Sequence, residues 1–208
     1  MSDTDSLIDK LASSGAAPRG GSLLHFTTPL VAVGLICTLG AILFLEDAFA
    51  SIDTHGFSPM IVKWGFSLAV LLLSAFALWA IGRPGRRSGG ATRALAVPFA
   101  LVAALVLLEL LVGKFTFPGA TWKQCLVAMA VMSPVAFIGA ILAARWLAPT
   151  NLRRAGLAAG LFGGAVAMTA YSPFCPEHGM LYLAVFYCLP ILAMAGLGWL
   201  LGPRLLRW

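Results

Sequence analysis

Six apolar runs divide this chain, separated by charged or Gly/Pro-marked breaks at about 26–45, 61–82, 94–112, 124–147, 155–173 and 180–202. A helix needs about 20 apolar residues to cross a bilayer. Each run is close to that length, the third and fifth being the shortest. The pattern predicts an all-α integral membrane protein with six transmembrane helices. Residues 1–22 form the sizeable polar segment, so the expected division is a short N-terminal segment at 1–22 and a membrane domain at 23–208.

The N-terminal segment has a pattern of its own. Leu7, Ile8 and Leu11 fall on one face at helical spacing. Ser6, followed three residues later by Asp9, resembles a capping box with Asp in place of Glu. A helix this short is unstable alone, and its apolar stripe suits the groove of a partner. The Ser/Gly/Ala-rich stretch that follows predicts a flexible tether.

Composition agrees with the runs. Of 208 residues, 60% are apolar and 11% charged, and mean hydropathy is +0.93. Soluble domains carry about 25% charged residues. These figures exclude a soluble globular enzyme, a disordered tail and a basic nucleic-acid-binding domain. A secretory signal peptide is not expected, because residues 1–22 begin Met-Ser-Asp-Thr-Asp and lack a basic region before an apolar core.

Charge sets the expected orientation. With the N-terminus in the cytoplasm, eleven of the 14 Lys and Arg fall inside. Lys63, Lys114 and Lys123 fall outside. The positive-inside rule then predicts both termini in the cytoplasm and an even number of spans. Trp64 and Trp122 belong to the outer interface, and Trp79, Trp146, Trp199 and Trp208 to the inner one. Gly156, Gly160 and Gly164 lie one turn apart, a stripe for close helix packing. Pro98, Pro134 and Pro190 fall inside spans and are read as kinks.

Candidate chemistry lies at the outer end. The chain has four cysteines and no CxxC pair, which argues against a thioredoxin-like dithiol or a zinc ribbon. Cys125 opens the fourth span and Cys175 lies just past the fifth, at the same depth and on the same face. An oxidising exterior allows such a pair a disulfide. Thiolates with imidazole suit zinc, cadmium or cuprous ion. Glu177 and His178 beside Cys175, with His55 in the first outer loop, are the further candidate ligands. Cys37 and Cys188 fall mid-span and read as small buried hydrophobes. His25 reads as an interfacial side chain. Glu109 is the carboxylate within a span, about 6 Å below the outer surface. Such an acid is a functional candidate by default, against a plain reach to the interface or to Lys114.

Together these parts resemble the NrsF-type anti-sigma factors of bacteria. The resemblance runs through Ser6-Leu7-Ile8-Asp9-Lys10-Leu11-Ala12, through Cys125 ahead of Pro134, and through the basic loop 145–154 leading into the Gly/Ala-rich run. It is sharpest in Cys175-Pro176-Glu177 and in the Gly202-Pro203-Arg204-Leu205-Leu206-Arg207-Trp208 end. It implies a six-span protein of the bacterial inner membrane that holds an extracytoplasmic-function sigma factor. It implies that Cys125 and Cys175 are paired sensory cysteines, answering to metal ions or thiol-oxidising stress, and that the N-terminal part contributes to sigma binding. Leu7, Ile8 and Leu11 are the expected partner-binding residues. The expected partners are the sigma factor and membrane lipid, with no direct nucleic-acid contact. No cofactor is required; a soft or borderline metal ion is the candidate regulatory ligand.

Three alternatives compete. A membrane thiol oxidoreductase is opposed by the absence of CxxC. A small metal transporter is opposed by the lone intramembrane acid and the lack of an internal repeat. A structural subunit predicts no sigma factor and no role for the cysteines. No nucleophile–base pair, phosphate loop or HExxH is present in the sequence, so no enzymatic activity is expected.

Overall fold

The computed structural model describes residues 3–13, 22–45, 58–82, 89–113, 119–147, 149–177 and 179–207. His55 and His178 lie outside these, as does the side chain of Leu11. The described residues are helical or loop, with no strand among them. In chain order the helices are α1 (Asp3–Ser13), α2 (Ser22–Phe44), α3 (Ser58–Ile81), α4 (Gly89–Ala94), α5 (Ala96–Val112), α6 (Trp122–Arg145) and α7 (Leu152–Tyr171). The last apolar run is a compound helix: α8 (Met180–Leu183), a π-helical segment Ala184–Cys188, and α9 (Leu189–Leu205).

Five segments are long and apolar enough to cross a membrane: Leu23–Phe44, Met60–Ile81, Trp122–Arg145, Leu152–Phe174 and Met180–Leu205. The third predicted run differs. Its helix α5 has 17 residues, about 26 Å at the α-helical rise, which is less than a bilayer core. Leu95, between α4 and α5, has helical backbone angles, φ −62° and ψ −24°. The helical path therefore reaches back to Gly89.

The least apolar of the five segments, α7, is the one at the centre. It packs against α9, α6 and α3 and is almost wholly buried. A helix surrounded by other helices needs small side chains for close approach, whereas lipid-facing helices need bulky apolar ones. The sequence divides in this way. Alanine and glycine dominate α7, while Leu35, Leu39, Leu107, Leu111, Leu192 and Leu200 of α2, α5 and α9 are exposed.

Gly156, Gly160 and Gly164 of α7 lie directly on the backbone of α9. A Cβ at Gly156 would run into the Gly198 carbonyl, and one at Gly160 into the Met194 carbonyl. One at Gly164 would stand 2.9 Å from Ile191 Cα. Gly163 faces the other neighbour, where a Cβ would stand 2.8 Å from the Phe137 amide nitrogen of α6. The end of the bundle where α6 and α9 finish is also tied. Arg145 Nε donates to the Leu205 carbonyl at 3.0 Å, and the His25 and Trp146 rings lie 4.8 Å apart.

One boundary differs from the sequence reading. α1 begins at Asp3, so Ser6 lies inside the first turns rather than at the cap. Asp5, in the first turn, instead places negative charge near the positive end of the helix dipole. Leu7 and Ile8 are exposed on this helix.

Candidate functional site: a buried thiol and tyrosine cluster

The opposite end of the bundle is built from four chain segments. Cys125 sits in the first turn of α6, its amide bonded to the Thr121 carbonyl at 3.1 Å. Cys175 follows α7 through a 3₁₀ turn, Ser172–Phe174, whose Pro173 and Ser172 redirect the chain. Ser172 Oγ donates back to the Met168 carbonyl at 2.7 Å, securing the turn. Both cysteines have no exposed surface, and both are thiols.

The thiols share their surroundings. Tyr171, at the end of α7, Tyr182 in α8 and Tyr187 in the π segment are fully buried and lie within electrostatic range of both cysteines. The Tyr182 and Tyr187 hydroxyls turn toward Cys125. None of the three hydroxyls completes a hydrogen bond of good geometry. Tyr182 lies beside Thr121 and Cys125, and Tyr187 beside both thiols, so the nearest polar neighbours of these hydroxyls include the sulfurs. Aromatic packing fixes the rings: Tyr182 and Phe186 are 4.7 Å apart between centroids, and Tyr171 and Tyr187 6.3 Å.

Lys63, in α3, is buried with only 5% of its surface exposed. Its ammonium donates to the Cys175 carbonyl at 2.8 Å and lies within electrostatic range of both thiols and of Glu177. A buried ammonium needs nearby acceptors or negative charge, and this end of the bundle supplies both.

The Cys125 thiol donates to the Phe186 carbonyl at 3.5 Å. Pro190 stands four residues after Phe186 and has no N–H to offer that carbonyl. The π-helical segment Ala184–Cys188 spans the same place, and such one-turn π segments recur at functional sites. The proline read as a plain kink therefore shapes the acceptor of a candidate sensory thiol.

Two acids close the site by capping helices. Glu177 Oε1 accepts the Ala120 amide at 2.7 Å and the Thr121 amide at 3.3 Å, immediately before α6. Gly119 has φ +81°, and a Cβ there would come within 2.7 Å of the Glu177 carboxyl carbon. The positive φ favours glycine, and a Cβ would push the Glu177 carboxylate off its amides. Glu177 clamps the Cys175 loop onto the helix start that carries Cys125, an arrangement the helix dipole favours. Glu109 Oε2 accepts the Leu181 amide at 2.8 Å. It ties α5 to the first turn of α8 rather than joining the thiol cluster.

The structure thus brings Cys125, Cys175 and Glu177 into one region and places Glu109 at its edge. Cys37 lies elsewhere, buried between α2 and α6, with its thiol 3.7 Å from the Met132 carbonyl. Cys188 is buried in the π segment. Among the described residues, no group of three or more His, Cys, Asp and Glu converges as a metal cage. Sequence reasoning passed over Lys63, counted only as an outer charge, and the tyrosines. A signal was available for the latter: the three tyrosines of the chain all fall between 171 and 187, around Cys175.

These features define an all-helical protein of membrane-spanning character with a buried thiol cluster at one end. The family described as NrsF, Negative regulator of sigma F, matches residues 11–208. A probable anti-sigma-F factor NrsF of Azospira oryzae is 33% identical, with 99% of each chain covered. The anti-sigma-F factor NrsF of Caulobacter vibrioides is 31% identical, again over 99% of each. No solved structure matches the chain. The chain belongs to the NrsF family.

Proposed function

We propose that this chain is a non-enzymatic anti-sigma factor of the bacterial inner membrane. It holds an extracytoplasmic-function sigma factor at the cytoplasmic face and releases it when a soft metal ion or a thiol oxidant acts on Cys125 and Cys175. One observation carries the sensory half of this reading. In a member of the NrsF family, two fully buried thiols from distant segments share one tyrosine–lysine surround. The anti-sigma half draws on what the relatives are named.

The proposed topology has six spans with both termini inside. The basic residues support it, as does the helical path from Gly89 to Val112, long enough for a sixth span. α1 then lies in the cytoplasm with Leu7 and Ile8 exposed, and with Leu11 it offers an apolar stripe to the sigma factor.

The donor set favours a soft ion. Cys125 and Cys175 supply two sulfurs, Glu177 already accepts two amides, and thiolate ligands select cuprous-type ions. Each thiol would lose its proton on binding. An oxidant would instead take two electrons from the pair, forming one S–S bond and releasing two protons. Either event removes the Cys125 S–H that now binds the Phe186 carbonyl. α6 and α7 then shift, and the last helix, held at that carbonyl, carries the change to its inner end. A ~100-fold loss of sigma affinity requires about 2.7 kcal/mol of coupling.

Affinity capture of the full chain from its host, against a chain lacking residues 1–22, tests the function class. Recovery of a sigma factor with the full chain alone supports the class and the α1 contact. Recovery with both moves the contact to the inner loops. Recovery with neither overturns the anti-sigma reading in favour of an oxidoreductase or transporter.

A further inference from the structure

At the inner end of the last helix, a pocket of about 500 Å³ is lined by Arg153, Arg204 and Arg207 together with Leu197, Trp199, Leu200, Leu201 and Pro203. We propose that this pocket binds the phosphate headgroup of an anionic phospholipid, with one acyl chain lying along α9.

The pocket is built in two parts. Leu197, Leu200, Leu201 and Arg204 recur at spacings of three and four on α9, so one helix face changes from leucine to arginine toward its end. Arg207 follows one turn later. Arg153 comes from the first turn of α7, where Asn151 caps the helix by accepting the Arg154 amide at 3.0 Å. Its guanidinium lies 4.7 Å from the centre of the Trp199 ring, which holds it by cation–π attraction and leaves its donors available. Among the described residues, no carboxylate side chain lines the pocket. The three guanidiniums share one space, and their planar forks match phosphate oxygens.

The apolar half selects the source of that phosphate. Leu197, Leu200 and Leu201 are 48%, 62% and 36% exposed, on a segment long and apolar enough to span a membrane. Their exposed flank faces hydrocarbon in a bilayer. A soluble phosphate would use the arginines and leave these leucines unused. A phospholipid uses both, and anionic headgroups are attracted to basic clusters beside spanning helices. Arg145, bonded to the Leu205 carbonyl, ties α6 to the same helix end, so a bound lipid would brace the inner side of the bundle.

Native mass spectrometry of the purified full chain in detergent micelles reads this directly. The probes are phosphatidylglycerol and phosphatidylcholine with identical acyl chains. Retention of phosphatidylglycerol should exceed that of phosphatidylcholine by about tenfold or more. Arg153→Gln/Arg204→Gln/Arg207→Gln should erase the preference, and Arg93→Gln, an exposed arginine outside the pocket, should preserve it. Should the triple variant not fold, Arg204→Gln/Arg207→Gln serves in its place. Equal retention of both lipids overturns the proposal, as does an equal loss in Arg93→Gln. Displacement of phosphatidylglycerol by millimolar inorganic phosphate would mark a free-anion site and overturn the lipid assignment. Displacement by the sigma factor would make the pocket a protein contact and overturn it likewise.

Discussion

The two ends of the seam between α7 and the last helix are built on opposite principles. At the end where α7 begins, glycine meets backbone: Gly156 and Gly160 leave no room for one methyl group. At the opposite end, the space is filled by the buried rings of Tyr171, Tyr182 and Tyr187, whose hydroxyls have no partner of good geometry. The glycine end has one close-packed arrangement and little freedom to slide. The tyrosine end has large side chains and a π-helical segment. Under the proposed relay, this difference would separate two tasks: a change is accepted where packing is adaptable, and transmitted where packing is stiff.

Filling the stiff end should have the largest effect. Gly160→Leu pushes a side chain into the Met194 carbonyl and should lower stability by about 3 kcal/mol or more. The midpoint of thermal unfolding in detergent would report it, and a midpoint near wild type would mean the seam is looser than described. Next comes the clamp between the two cysteine segments. Glu177→Ala removes the acceptor for two amides and should cost about 1–2 kcal/mol, the range for a helix cap. Glu177→Gln keeps an oxygen and should recover most of that. If both variants lose equally, charge rather than capping holds the loop.

The adaptable end should tolerate change that would harm an ordinary buried polar group. Tyr187→Phe deletes a hydroxyl with no good partner, so stability should stay within about 1 kcal/mol of wild type or rise. A larger loss would reveal a hydrogen bond that this arrangement does not account for. The smallest effect belongs on the face of α9 away from the seam. A Cβ at Gly196 meets nothing within 4 Å, so Gly196→Ala should stabilise by about 0.5–1 kcal/mol. Set beside Gly160→Leu, it separates position from residue type.

The architecture was legible because hydropathy is a one-dimensional signal. The six runs locate the helices to within a few residues, and the Gly156/Gly160/Gly164 spacing identifies the packing face. The shortness of α5 also shows in its run. What escaped was long-range pairing. Lys63 and Cys175 are 112 positions apart, and Glu109 and Leu181 are 72 apart, so no local pattern joins them. Glu177 was readable as a carboxylate near a cysteine but not as a cap, because its amides belong to residues 120 and 121. Pro190 was visible, but its consequence at the Phe186 carbonyl requires knowing that α6 packs there. Ser6 does not mark the cap, because the helix already begins three residues before it, at Asp3.

The central claim is that the buried thiol pair controls the grip on a sigma factor. The direct measurement is the fraction of sigma factor retained on purified membranes before and after a cuprous or thiol-oxidising challenge. Wild type should release the sigma factor, while Cys125→Ala and Cys175→Ala should each retain it and Cys37→Ala should behave as wild type. Release from both cysteine variants at wild-type levels would contradict the account.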